Sequence, residues 1–309
     1  MFIFYEPTIH YISFSTAPNV LIPHAVFAVA WSPNDKRIVS AWQDNTAGVW
    51  DATTRNNVLQ YNKHSGYVKS VKWSSDSTHV ASGGLDKTVR IWDATSGIDV
   101  LTVPHTGHTA PVRSVAWSEN SLLIASGSED KTVQVWNAAT GSLKVKFTDH
   151  SDVIFSVAWS PSGMRIASGS GDHTVKVWDA STGQNVLTYS GHSKRVNTVA
   201  WSPNGQYIAS GSYDNTVQVW DSATGGNSFK FSYKGHTKPV EVLAWSHDGA
   251  RIASGGDDTT VQVWDAFTGA NVRTFGLHSD SVWGLTWSPD GKYIASGSFD
   301  KTVKVWWAI

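Results

Sequence analysis

Serine, histidine and aspartate recur together along this chain, and those are the residue types a hydrolase needs. A serine hydroxyl becomes a nucleophile when an imidazole takes its proton and a carboxylate orients that imidazole. The sets are His64/Ser82/Asp86, His108/Ser126/Asp130, His150/Ser168/Asp172, His192/Ser210/Asp214, His236/Ser254/Asp258 and His278/Ser296/Asp300. The recurrence itself argues against catalysis, because an active site needs one constellation and not six. There is no Gly-rich phosphate loop, no metal-ligand cluster with tight spacing and no nucleophile outside these sets. No enzyme activity, metal or cofactor is expected. The other histidines, His10, His24, His79, His105, His173 and His247, are scattered.

The elements that carry these residues repeat. Copies close on Trp50, Trp92, Trp136, Trp178, Trp220, Trp264 and Trp306, which lie 42 or 44 residues apart. A fixed period of that size means an array of like units, none able to bury its apolar face alone. The fifth copy shows the unit clearly. Val196 to Trp201 is β-rich, and Ser202-Pro203-Asn204-Gly205 is a hairpin turn. Tyr207 to Gly211 and Thr216 to Trp220 are further strands, separated by a turn at Tyr213-Asp214-Asn215, and a fourth lies near Ser228 to Phe231. Apolar residues fall on both strand faces, so each sheet must be covered on both sides. Seven four-stranded sheets stacked around an axis achieve this.

These residues carry a resemblance. The chain resembles a WD40 β-propeller in its Trp-Asp endings (50–51, 92–93, 178–179, 220–221, 264–265) and its Gly-His openings (107–108, 191–192, 235–236). It matches too in the Ser-Gly-x-x-Asp-x-Thr-Val-x-[Val/Ile]-Trp core of copies two to seven. The resemblance spans about residues 8 to 309 and implies an all-β, closed seven-bladed propeller of four-stranded antiparallel blades, one domain over 1–309. It also implies that each His/Ser/Asp set joins its Trp in a structural tetrad, as in His64/Ser82/Asp86/Trp92, His192/Ser210/Asp214/Trp220 and His278/Ser296/Asp300/Trp306. Buried together, those polar groups must pair or cost about 1–3 kcal/mol each. The first copy departs: Ile22 stands where the His is due, and His24 is two residues off register. Blade one is therefore expected to be the weakest, or altered at its entry loop. The last copy stops at Ile309 without a fourth strand, so residues 9–14, which alternate like a strand, are expected to complete blade seven.

Composition narrows the functions. The chain has 309 residues, a formal net charge of −1, 16% charged residues and no cysteine. Nothing in that balance attracts phosphate backbones or anionic membranes, so neither nucleic acid nor membrane is expected as a partner. No apolar run reaches the roughly 18 residues of a bilayer span. Met1 to Phe14 lacks a basic n-region and reads as structure rather than a secretion signal, which favours a cytoplasmic monomer.

Recognition must then lie where copies differ. Four residues before the first-strand Trp stand Phe27, Lys69, Arg113, Phe155, Asn197, Glu241 and Trp283. Just before the turn Asp stand Gln43, Leu85, Glu129, Gly171, Tyr213, Asp257 and Phe299. A third position holds Ala25, Tyr67, Pro111, Val153, Arg195, Pro239 and Ser281. The resemblance implies that all three face the mouth of the central channel, where peptides dock. Trp283, Phe299, Phe27 and Trp42 (where other copies have Gly or Ser) suggest an aromatic anchor at blades seven and one. Glu241 and Asp257 would form an acidic wall beside it, with Lys69 and Arg113 opposite. The bland alternative is that the aromatics fill the channel mouth and Trp42 covers the gap left at Ile22. The function expected is a scaffold binding a protein or peptide. The alternatives are a sensor module of a larger kinase or NTPase, or a consensus-like engineered array.

Overall fold

The computed structural model describes residues 12–14, 24–54, 56–103, 107–276 and 278–308. Among them there is no helix, and seven four-stranded antiparallel sheets make seven blades. The innermost strands are Val26–Trp31, Val68–Trp73, Val112–Trp117, Ile154–Trp159, Val196–Trp201, Val240–Trp245 and Val282–Trp287. Each packs on the next, and Val282–Trp287 packs on Val26–Trp31, so the ring closes. In the fifth blade the fourth strand runs over Gly225–Tyr233, longer than the sequence suggests. Its end is fixed by packing: the Tyr233 ring stacks on Trp264 of the next blade at 4.3 Å, and its hydroxyl donates to Gln262 at 2.6 Å. Tyr61 and Tyr189 stack likewise on Trp92 and Trp220 of the next blade, and Phe147 and Phe275 lie tilted against Trp178 and Trp306.

Middle strands supply the core. In Ile166–Ala167 and Ile208–Ala209, for example, the apolar side chains are fully buried because neighbouring blades cover both faces of the sheet. The first-strand tryptophans add polar links between blades. The Trp73 indole N–H donates to the Ala30 carbonyl at 3.1 Å, and Trp117, Trp159, Trp201, Trp245 and Trp287 donate likewise to the blade before. Trp31, at the junction of blades seven and one, is the exception; its indole N–H has no partner among the described residues.

The seventh sheet places Ile12–Phe14 antiparallel beside Val303–Trp307, with Ile12 opposite Val305 and Phe14 opposite Val303. Residues 9–11 of the expected strand, and Ile22, lie outside the described residues.

Candidate functional site

The polar quartets come first, because they are the chemistry the sequence advertises. In six blades a histidine Nδ1 meets an aspartate Oδ2 at 2.7–2.9 Å, and its Nε2 meets a serine Oγ at 2.7–2.8 Å. The third-strand Trp then donates its indole N–H to that same Oγ, as Trp92 does to Ser82 at 3.1 Å, Trp220 to Ser210 at 3.2 Å and Trp306 to Ser296 at 2.6 Å. One assignment satisfies every atom with a neutral ring: Nδ1–H donates to the carboxylate, the serine hydroxyl donates to Nε2, and the indole donates to the serine. Burial alone would raise Asp86, Asp130, Asp172, Asp214, Asp258 and Asp300, but hydrogen bonds from the histidine and from nearby Thr or Ser groups outweigh it. These carboxyls lie well below the usual range. The six serines are fully buried. Their lone pairs face an indole instead of an open cleft, so no substrate carbonyl reaches them.

Blade one is built differently. Trp50 still donates to Ser40 at 2.9 Å, but among the described residues Asp44 accepts only from Thr46, and His24 bonds to neither Ser40 nor Asp44. Trp42 lies against Trp50 at 5.8 Å, much as His150 lies against Trp178 at 5.8 Å. It is 2% exposed. A Cβ at Gly48 would sit 2.3 Å from the Trp42 ring. Other blades reverse the sizes, with Gly or Ser at the Trp42 position and Arg90, Gln134, Lys176, Gln218, Gln262 or Lys304 opposite. Trp42 is thus buried against Trp50 and Gly48, which favours the reading that it covers a gap over the reading that it anchors a partner. We propose that it fills the space an imidazole takes in the other blades and that Gly48 makes room for it.

The rim follows from backbone geometry. The pairing of first and second strands slips at Val26/Ala28, Val68/Ser70, Val112/Ser114, Ile154/Ser156, Val196/Thr198, Val240/Val242 and Val282/Gly284. The extra residue in each case is the variable one: Phe27, Lys69, Arg113, Phe155, Asn197, Glu241 or Trp283. A bulge leaves its residue outside the ladder and re-aims the side chain. All seven line the central channel, whose volume is about 1060 Å³. The other two variable positions are tied together by a backbone hydrogen bond in every blade, such as Leu85 N–H to the Tyr67 carbonyl and Tyr213 N–H to the Arg195 carbonyl.

This brings together Phe27, Trp283 and Phe299, with ring centres 4.8–5.7 Å apart, and adds Tyr67 at 6.0 Å from Phe27. Lys69 does not stand apart as a basic residue. Its ammonium sits over Phe27, 3.2 Å from the ring centre, with Trp283 at 5.3 Å and Tyr67 at 5.9 Å. Burial first, and then repulsion from Arg113, pull its pKa down to about 7. On the next blade Arg113 is paired to Glu129 at 2.5 Å. Phe155 has the guanidinium groups of Arg195 and Arg113 at 4.9 and 5.8 Å. Arg195 also covers Tyr213 at 4.3 Å. The acidic wall is less acidic than the sequence suggests. Burial first, then Asp257, push the Glu241 carboxyl up to about 8, although Arg195 lies 3.7 Å away. The sequence reading named Tyr67, Arg195 and Asn197 as variable without choosing them. Asn197 donates to the Val240 carbonyl at 2.9 Å and is buried.

The family model described as "WD domain, G-beta repeat" matches residues 16–51, 55–93, 100–137, 141–179, 183–221, 227–265 and 269–306. The chain belongs to the WD40 family. The matched repeats are offset from the blades by one strand: from the second on, each takes in the outer strand of one blade and the three inner strands of the next, so successive repeats interlock around the ring. Proteins of this family typically mediate protein interactions. A comparison with curated proteins finds no match.

Proposed function

We propose that this WD40 chain is a non-catalytic scaffold that binds a protein or peptide across the channel mouth, anchored on the aromatic group of Phe27, Tyr67, Trp283 and Phe299. The observation that carries this reading is the bulge repeated in seven blades, which aims one variable side chain per blade at a common rim. The frame behind them is closed and hydrogen-bonded, so ordering the rim on binding costs little. The rim mixes Lys69, Arg113 and Arg195 with Glu129, Glu241 and Asp257, which suits a peptide of mixed charge better than a phosphate backbone. A peptide array probed beside a glycan array tests the class of ligand. Peptide hits should weaken at least tenfold in Tyr67→Ala and in Trp283→Leu, both checked for an unchanged fold. Hits unaffected by both substitutions, or hits on glycans alone, refute the reading.

A further inference from the structure

The pocket at blades seven, one and two already holds a cation, and that cation is the protein's own. The Lys69 ammonium is faced by three rings, those of Phe27, Trp283 and Tyr67. Among the described residues no carboxylate pairs with it; Glu129, the acid nearest in influence, is committed to Arg113. An ammonium in such a place keeps its attraction to the ring faces, but its three N–H donors meet no acceptor among the described residues. Lys69 is thus a poor fit to its own pocket. A guanidinium would fit no better, because its five donors also want acceptors. The group that fits is an alkylated ammonium: it keeps the charge, has few or no N–H donors to desolvate, and cannot lose a proton.

We propose that the Phe27/Tyr67/Trp283 pocket is a receptor for an alkylated ammonium group carried by the partner, and that Lys69 is a built-in occupant which this group displaces. The inference rests on the rim-binding reading and names the chemistry of its anchor. Lys69 has a long flexible stem and can swing toward solvent past Tyr67, which is 38% exposed. An internal occupant lowers apparent affinity by the fraction of time it fills the site.

The probe is tetramethylammonium chloride, titrated into wild type and Lys69→Ala with tryptophan fluorescence or calorimetry as the readout. Lys69→Ala should bind it saturably, and about tenfold more tightly than wild type at pH 6, the size of one desolvated cation–π contact. Raising the pH to 9 neutralises Lys69 and should bring wild type up to the variant. The charged groups that act on Lys69 are Arg113 and Glu129, on the blade-three side; Glu241, further around the mouth, also titrates in this window. Lys69→Ala retains all of these, so any pH dependence they cause appears in both proteins, and the part seen in wild type alone belongs to Lys69. Lys69→Ala/Phe27→Leu keeps an apolar filling but loses the ring face, and should bind at least tenfold more weakly than Lys69→Ala. No saturable binding to Lys69→Ala, or equal binding with Phe27→Leu added, overturns the proposal. Because no peptide is used, that failure leaves the peptide-array result standing, and the reverse also holds.

Discussion

Blade one allows a test of how the ring tolerates a lost quartet. Trp42 and Gly48 exchange sizes relative to every other blade, and the Gly48 Cβ position lies 2.3 Å from one Trp42 ring carbon and 2.7 Å from another. Gly48 has no positive φ, so a side chain there meets no backbone strain. Replacing it by Gln, as at Gln134, Gln218 and Gln262, should gain about 0.5–1 kcal/mol of chain entropy in a strand. The overlap with Trp42 outweighs this, at about 1–3 kcal/mol for overpacking. Trp42→Ser alone removes a 2% exposed indole and should cost about 3–5 kcal/mol. In the double variant the Gln enters the emptied space, so the two losses should fall short of additivity by about 1–3 kcal/mol. For a domain this large a kilocalorie moves the melting temperature by about 2 °C. Gly48→Gln should therefore lower it by a few degrees and Trp42→Ser by about 6–10 °C, and the double variant should melt no lower than Trp42→Ser. Calorimetry on the four proteins decides it. Additive shifts, or an unchanged Gly48→Gln, would refute the idea that Trp42 takes the place of the imidazole.

Three further outcomes follow from the same geometry. Trp159→Phe removes an indole that donates to the Ala116 carbonyl, whereas Trp31→Phe removes one with no acceptor among the described residues, so Trp159→Phe should cost about 1–2 kcal/mol more by denaturant midpoint; equal costs would contradict the assignment. We propose that the segment containing Ile12–Phe14 latches blade seven, and deleting residues 1–16 should then lower the melting temperature by at least about 5 °C; an unchanged melt would dismiss the latch. Finally, the six quartet carboxyls are depressed in the folded state, so their stabilisation is complete above the unfolded carboxylate value of about 4 and drains away as the pH falls toward their folded values. The urea midpoint should drop steeply from pH 4 to 2.5, and a flat profile there would count against a stabilising role for the quartets.

Much of the fold was legible because each copy repeats the same compromise between strand, turn and buried polar group. The six quartets could be read from spacing, since the tertiary contact they make is the same in every blade. The aromatic that caps the next blade's Trp was equally regular, three residues before the quartet histidine at Tyr61, Phe147, Tyr189, Tyr233 and Phe275, but no rule of strand alternation marks it. Trp42 leaves both readings open when it is compared with its own position alone. Its partner Gly48 stands six residues later and across a strand pair, and only their joint reversal of size points to the core exchange proposed above. The rim was legible as variation but not as geometry. A bulge leaves no residue signature here, and whether Lys69 points to solvent or into its neighbours' rings depends on blade one and blade seven, which are far away in sequence.

The junction of blades seven and one shows why stability and recognition are hard to separate in this ring. Among the described residues it lacks two polar contacts that the other blades have: Trp31 has no acceptor, and no histidine meets Ser40. Close packing takes their place. Gly284 lets the backbones approach, since a Cβ there would lie 2.8 Å from the Val29 nitrogen. Aromatic contacts then cross the junction, Phe27 to Trp283 and Phe299 on the channel side and Trp31 to Tyr293 at 6.4 Å. Such pairs contribute about 0.5–1.5 kcal/mol each beyond their burial, comparable to the hydrogen bond that is absent. The rings proposed to anchor a partner are thus the rings that hold the seam. Phe27→Ala would strike both at once and prove neither. Tyr67 touches the cluster from blade two and is outside the seam, so the loss of binding in Tyr67→Ala at an unchanged melting temperature separates recognition from closure.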